Sequence, residues 1–347
     1  MAAATIEDLH PDMLAGALRL LDGPDLASLS CATSRFRSLV GEPDLWRDLC
    51  LSSWPSLRHP RLLRLLESSH RSFFADVFAS PVCTLPSFPC DDSDEEASLP
   101  SELISAVELR HRNSVILSLV AETDTSTSWF RAAPFRLDAE VERKDDGGSF
   151  FFSPEELTLS WIVIDPQSRR AVSATSRRPV AVNRHWITGE TVVRFALVLS
   201  DECAVGAVVK CGEESGEVRE INLVAEGVEG ACLSGREGLA VLRSAMEGGR
   251  QRRKEEEEDA RRRWEEFEGR RQKRKETAAR MERLVDLAFA AVGAAAFLAL
   301  FVFVVVSLIV ESCHREDSKT STTLLTVIRS NDVERWLTVD FSCLWIG

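Results

Sequence analysis

Residues 5–54 read TIEDLHPDMLAGALRLLDGPDLASLSCATSRFRSLVGEPDLWRDLCLSSW, and this stretch decides the fold of the N-terminal part of the chain. Its apolar residues recur with helical spacing in three groups that begin at Met13, Leu26 and Leu45. A DGPD and a GEPD sequence separate the groups, because glycine and proline interrupt helices. The pattern therefore predicts three short helices. Such a small module buries little apolar area and often needs a partner to cover its apolar face.

The same stretch resembles the F-box, whose pattern is roughly LPxxLLxxILxxLxxxDLxxxxxVxxxWxxLxxxxxLWxxL. The matching positions, in order and without a gap, are Leu21, Asp25-Leu26, Ser30, Leu39, Asp44-Leu45-Trp46 and Leu49. Two positions depart from the pattern: Pro11 lies one place later than usual, and Phe36 stands where the family has tryptophan. The resemblance implies a three-helix F-box over residues 5–54.

The resemblance also implies partners. F-box proteins bind an Skp-family adaptor, which joins a cullin scaffold that carries a RING subunit. The F-box chain itself has no catalytic residues and holds a substrate near a ubiquitin-conjugating enzyme, which is catalysis by proximity. The pattern places six residues in the adaptor-binding face or in the core behind it: Pro11, Leu14, Leu18, Leu21, Leu26 and Trp46. The sequence leaves open which of the six contact the adaptor.

The middle of the chain changes from helical to strand periodicity. Residues 56–79 predict a helix that packs on the F-box, and the Pro-rich, acidic residues that complete the segment 56–100 predict a linker. Over residues 101–248, apolar and β-branched runs are bounded by turn residues. In LTLSWIVID (157–165), for example, alternate residues are expected to face opposite sides. We therefore expect an α+β protein whose middle domain is mostly antiparallel β, either a sandwich or a barrel, followed by a helix over 236–247.

Several stretches of this middle domain also look like those of a group of plant F-box proteins. They are SELISAVELRH, SWFRAAPFRLD, LSWIVIDP and SRRPVAVNRHWITGE. In that group the resemblance would cover about 240 residues. It carries no information on the substrate.

Aromatic and basic residues of the middle domain are the candidates for substrate binding: Trp129, Trp161, Arg177, Arg178, Arg184, His185 and Trp186. One interpretation is a pocket that recognises an acidic peptide, a modified side chain or a sugar. The alternative is that the tryptophans belong to the core and that the arginines keep a strand edge soluble. The alternative is favoured, because tryptophan is buried on average.

The C-terminal part of the chain predicts a membrane anchor. Residues 249–286 consist largely of arginine, lysine and glutamate, with acidic residues four positions before basic ones, which predicts a solvated helical stalk. Residues 287–310, LAFAAVGAAAFLALFVFVVVSLIV, contain no charge and span about 36 Å as a helix, enough to cross a bilayer. Residues 311–347 form a tail without a recognisable motif.

The charges that flank the apolar segment predict its orientation. Seven basic residues precede it closely, at positions 270, 271, 273, 274, 275, 280 and 283, and three follow it, at 315, 319 and 329. The positive-inside rule then places the N-terminal bulk in the cytosol. We expect a single-pass protein with a lipid bilayer and a membrane-associated substrate as partners. The length of the segment does not identify the membrane.

The composition and the absence of known motifs argue against several other classes of protein function. A formal net charge of −13 argues against nucleic-acid binding. The nine cysteines form no CxxC pair and have no histidine at zinc-finger spacing, so neither a metal site nor a cofactor is expected. No nucleotide-binding or hydrolase motif occurs, so no catalytic residue is assigned.

The runner-up function is a membrane-anchored β-domain that binds a carbohydrate or another ligand, with a purely structural helical module.

Overall fold

The computed structural model describes residues 10–67, 69–81, 99–112, 114–141, 153–212, 217–248, 250–251 and 257–329. The chain divides into two compact units, Met1–Glu276 and Thr277–Gly347. Most of the predicted acidic linker and the last residues of the tail lie outside the described residues, so those two predictions stay predictions.

Short helices form the N-terminal layer of the first unit. They are α1 (Pro11–Leu18), α2 (Gly23–Leu29), α3 (Ser34–Val40), α4 (Pro43–Ser53), a 3₁₀ turn (Pro55–Arg58), α5 (Pro60–Leu66) and α6 (His70–Phe78). The second predicted helix is in fact two helices, because Thr33 is extended and its hydroxyl caps the N–H of Phe36. Asp22-Gly-Pro begins α2 rather than ending α1: the Asp22 carboxylate accepts the N–H of Asp25, at 2.8 Å.

Strands and two further helices complete the first unit. In chain order they are β1 (Ser80–Pro81), β2 (Glu102–His111), β3 (Ser114–Asp124), α7 (Ser128–Ala132), β4 (Arg136–Ala139), β5 (Leu157–Asp165), β6 (Arg170–Ser173), β7 (Ala181–Arg184), β8 (Thr191–Val198), β9 (Cys203–Cys211), β10 (Val218–Gly227), α8 (Gly235–Glu247) and β11 (Arg250–Gln251). The last helix, α9, is Glu257–Arg329.

The strands form two larger sheets, in the orders β3-β2-β5-β6 and β4-β10-β9-β8-β7, and β1 pairs with β11. All strand pairs among the described residues are antiparallel. The predicted α+β class and antiparallel β-structure are therefore confirmed. The choice between a sandwich and a barrel stays a prediction.

The two sheets share a core. Alternate residues of β5, Leu157, Leu159, Trp161 and Val163, join side chains of β8, β9 and β10, and α8 adds Leu239 and Leu242. This alternation along β5 agrees with the sequence pattern. The helix predicted over 236–247 is confirmed as α8, whose N-terminus is closed by a capping box between Ser234 and Glu237.

The outer face of the first sheet is covered by the N-terminal helices. Ile104 and Ala106 of β2 and Ile162 and Ile164 of β5 belong to the same buried cluster as residues of α1 to α6. Residues of the predicted F-box (5–54), of the segment 56–100 and of the predicted β-domain (101–248) therefore share one buried cluster, and the domain boundaries stay predictions. The helices and the first sheet are packed as one body.

Polar contacts lock these two layers together. The Glu108 carboxylate, buried between them, accepts the backbone N–H and the hydroxyl of Ser56, at 2.8 and 2.9 Å. Arg110 donates both to Glu108, at 3.0 Å, and to the Ser53 carbonyl, at 2.7 Å. At the other end of the interface, Arg170 of β6 pairs with the buried carboxylate of Asp76 in α6, at 3.0 Å.

The N-terminal part of α9 covers the outer face of the second sheet. Trp264 and Phe267 are buried against Val180, Ala196 and Ala204. The Arg194 guanidinium lies 5.2 Å from the centre of the Trp264 ring, a cation–π contact. The expectation of a solvated stalk over 249–286 is therefore wrong for the residues around Trp264 and Phe267, because two aromatic residues on one helix face find an apolar sheet surface.

A charge network holds the same helix in place. Glu226 of β10 accepts from Arg194, at 2.7 Å, and from Arg271 of α9, at 2.9 Å. Arg270 pairs with Asp201, and Arg274 pairs with Glu229. Some of the basic residues counted before the apolar segment are thus engaged by acidic residues of the first unit.

The second unit contains the rest of α9. This helix is the one candidate membrane span among the described residues, by its length and apolar composition. The large side chains between Leu287 and Val310 are exposed.

Gly23 offers a test of the helical packing, with Gly16 as a matched control. A Cβ at Gly23 would overlap the ring of Phe74, whereas a Cβ at Gly16 would meet no atom within 4 Å. We expect Gly23→Ala to lower the free energy of unfolding by about 1–3 kcal/mol. Gly16→Ala should raise it by about 0.5–1 kcal/mol, because alanine favours helix. Denaturant unfolding of the full chain measures both; equal effects of the two substitutions would contradict the packing.

Candidate adaptor-binding and substrate-binding sites

The residues that match the F-box pattern are mostly core residues. Leu14, Leu18, Leu26 and Trp46 are buried, and the Trp46 indole N–H donates to the Val40 carbonyl, at 2.7 Å. Leu21 is partly buried and packs against the same core. Pro11 begins α1, and its side chain lies outside the described residues. The four buried side chains of this set therefore support the helices from behind, and the assignment of the set to adaptor binding stays a prediction.

Among the described residues of this module, the large exposed apolar side chains are those of Met13 and Leu20, which are 68% and 87% accessible. Met13 lies in α1 and Leu20 in the turn that follows α1, and Ala17 between them is exposed as well. Sequence reasoning missed both. The sequence contained a signal for both residues. Each is a large apolar residue directly beside a leucine that packs in the core, Leu14 or Leu21, and a helix cannot turn both neighbours towards the same core.

Trp161 is not a surface residue. Its side chain is fully buried in the core between the sheets, and its indole N–H donates to the Ser105 hydroxyl, at 3.1 Å. Its inclusion in a substrate pocket is a correction to the sequence interpretation: the core alternative holds for this tryptophan, because strand alternation directs it inward with Leu159 and Val163.

The other two tryptophans are exposed and lie far apart. Trp186 follows β7, at one edge of the second sheet, and Trp129 lies in α7, which precedes β4 at the opposite edge. The four strand spacings between these edges measure about 19 Å. The two tryptophans are also separated along the strands. Arg184, near Trp186, pairs with Thr191 at the start of β8, whereas Arg136, at the start of the strand that follows Trp129, pairs with Val224 near the end of β10. The two tryptophans thus do not share a pocket.

The basic candidates lie on one continuous segment. Arg177 and Arg178 are exposed between β6 and β7, and Arg184 and His185 are exposed at the start of the β7–β8 turn. His185 helps to form this turn, since its Nδ1 atom lies 3.0 Å from the Thr188 hydroxyl and its carbonyl accepts the Gly189 N–H, at 2.8 Å. The structure therefore brings Arg184, His185 and Trp186 together in one turn.

Buried thiols offer no nucleophile. Burial raises the pKa of Cys50 to about 12 and that of Cys211 to about 11, so both are protonated at neutral pH. Within the described residues, no group of three histidine, cysteine, aspartate or glutamate side chains is placed to hold a metal ion.

Comparison with known proteins identifies relatives that extend over most of the chain. No protein-family model matches, and no solved structure is significantly similar. A "Probable F-box protein At2g36090" of Arabidopsis thaliana is 39% identical over 310 residues, which covers 86% of this chain and 93% of the relative. "F-box protein At2g27310" of the same plant is 33% identical and covers 86% and 96%. "F-box protein At3g44326" is 35% identical and covers 66% and 70%.

Proposed function

This chain belongs to the plant F-box proteins, and from that premise we propose that it is the substrate-recognition subunit of an Skp–cullin–F-box ubiquitin ligase, tethered to a membrane. The observation that carries the proposal is identity of 39% to an F-box protein through 86% of the chain. F-box proteins generally act as substrate receptors of such ligases. The proposal assigns adaptor binding to the helical layer, substrate binding to the β-structure and attachment to the apolar helix.

Adaptor binding is assigned to the face that Met13 and Leu20 expose. Two large apolar side chains in water are unfavourable unless a partner covers them. Their neighbours Leu14 and Leu18 hold the helix against the core, so the face is rigid before binding.

Three relatives named as F-box proteins favour this function over a carbohydrate-binding protein with a purely structural helical module.

Membrane tethering rests on the apolar part of α9. Side chains such as Phe289, Phe297 and Phe301 are exposed within a run of 24 uncharged residues, residues 287–310. A soluble protein rarely exposes so continuous an apolar surface, whereas a bilayer would cover it. The excess of basic residues on the N-terminal side, and the need of the F-box for a cytosolic adaptor, both support a cytosolic N-terminal bulk.

Substitution of the exposed residues tests adaptor binding without unfolding the module. Leu20→Asp and Met13→Asp should each weaken capture of a recombinant Skp-family adaptor by the full chain by about tenfold, which corresponds to about 1.4 kcal/mol. Ile187→Asp, an equally exposed apolar position on the β7–β8 turn, serves as the control and should bind the adaptor normally. Biolayer interferometry measures the affinity, and thermal unfolding checks the fold. Unchanged affinity in both F-box variants, or no binding by the wild-type chain, would contradict the assignment.

Glycosylation mapping tests the membrane orientation. The chain contains four asparagines and no Asn-x-Ser/Thr acceptor site. Val333→Thr creates the site Asn331-Asp332-Thr in the tail, and Val115→Thr creates Asn113-Ser114-Thr on the N-terminal side. With microsomes present during translation, we expect glycosylation of the Val333→Thr chain alone. Modification of the Val115→Thr chain would reverse the topology, and modification of neither chain would argue against insertion.

A further inference from the structure

Residues 177–189 form one edge that runs from the first sheet to the second, and we call this segment the basic edge. After β6 the chain continues beside β5, where the Leu159 N–H donates to the Arg177 carbonyl, at 3.0 Å. It then crosses to the second sheet, where the Val180 N–H donates to the Arg194 carbonyl, at 2.8 Å. The basic edge ends in β7 and the turn that leads into β8.

The strand β7 lies at an edge of the second sheet. In the described part of the sheet, β7 pairs only with β8. The His185 N–H donates to the Glu190 carbonyl, at 2.8 Å, which fixes the hydrogen-bonded positions of this antiparallel pair. Because hydrogen-bonded positions alternate, the N–H and C=O of Val182 point away from β8. Such an edge can pair with an extended segment of another chain.

The charge of the basic edge is opposite to that of the whole protein. Residues 177–189 contain Arg177, Arg178, Arg184 and His185 and no aspartate or glutamate, in a chain of net charge −13. All four side chains are exposed. The local field therefore favours an acidic segment and disfavours a basic one.

The turn at the end of the basic edge presents two apolar anchors. The side chains of Trp186 and Ile187 are 88% and 68% accessible. The turn is fixed by the Gly189 N–H, which donates to the His185 carbonyl, at 2.8 Å, and Gly189 has a positive φ of 69° that glycine adopts without strain. Tryptophan is enriched among the residues that contribute most to binding at protein interfaces.

The outward N–H and C=O of Val182 favour a protein over the bilayer as the partner, because an extended chain can pair with these groups and a lipid bilayer cannot.

We propose that the basic edge binds an extended acidic segment of the substrate protein. The segment pairs with β7 through Val182, places its carboxylates beside the arginines, and packs an apolar side chain against Trp186 and Ile187. The identity of this partner as a substrate rests on the proposed function of the chain.

The test uses a fluorescent peptide of about eight residues that alternates glutamate with valine or leucine, and a charge-reversed peptide in which lysine replaces glutamate. Fluorescence anisotropy with the full chain in nanodiscs should show binding of the acidic peptide alone, weakened by added salt. The double substitution Arg177→Glu with Arg178→Glu, and Trp186→Ala separately, should each reduce affinity by about tenfold or more.

Backbone pairing is tested by Val182→Pro, with Val182→Ala as the matched control. Proline removes the outward N–H and leaves the hydrogen bonds to β8, whereas alanine removes only the side chain. Binding should be lost in the proline variant and kept in the alanine variant. Methylation of alternate peptide nitrogens on the probe gives the same test without changing the protein.

The outcomes separate this inference from the proposed function. Three results would overturn the inference: equal binding of both peptides, equal affinity of the proline and alanine variants for the acidic peptide, or normal binding by arginine variants that aggregate. The last result would mean that the arginines of the basic edge only prevent aggregation. Quenching of tryptophan fluorescence by brominated lipid that is lost in the Trp186→Ala variant would also overturn it, in favour of the bilayer. Adaptor capture, measured in parallel, should be normal in all these variants, so its failure bears on the proposed function alone.

Discussion

The buried carboxylate of Glu108 is the constraint on which the arrangement of the first unit depends. A charge between two layers is strongly unfavourable unless every oxygen finds a donor, and here Ser56 and Arg110 supply the donors. Ser56 belongs to the helical layer and Arg110 to β2, so the two layers must keep their relative position for the carboxylate to be satisfied. The apolar contacts around Ile104 and Ile162 exclude water from the same interface.

This constraint connects the two proposed binding regions. The N-terminal helices, both larger sheets and the start of α9 belong to one compact unit, so the proposed adaptor face at Met13 and Leu20 and the basic edge are parts of the same unit. A ligase receptor gains from such a connection, since its role is to hold a substrate at a defined distance from another protein's reactive group. The helices of the F-box region then form one layer of this unit, and their apolar underside is covered by the first sheet.

Local patterns predicted the elements, and long-range packing decided the rest. The alternation in residues 157–165 predicted the strand β5. It did not indicate that Ile162 and Ile164 contact the helices, because a strand that is covered on both faces has apolar residues on both, and the sequence does not say what covers each face. Trp264 and Phe267 stand alone in a charged run, and their partners Val180 and Ala196 are about 70–90 residues away in sequence. Trp161 and Trp186 look alike in sequence; only the strand register places one in the core and the other on a turn.

Native-state hydrogen exchange at increasing denaturant tests the central claim, a shared and locked core, most directly. If the helical layer and the first sheet are one cooperative body, the amides of α4 and α6 and those of β2 and β5 should lose protection at the same denaturant concentration. Loss of protection in α4 and α6 at a clearly lower concentration, while β2 and β5 remain protected, would show that the F-box opens as an independent domain and would contradict the account.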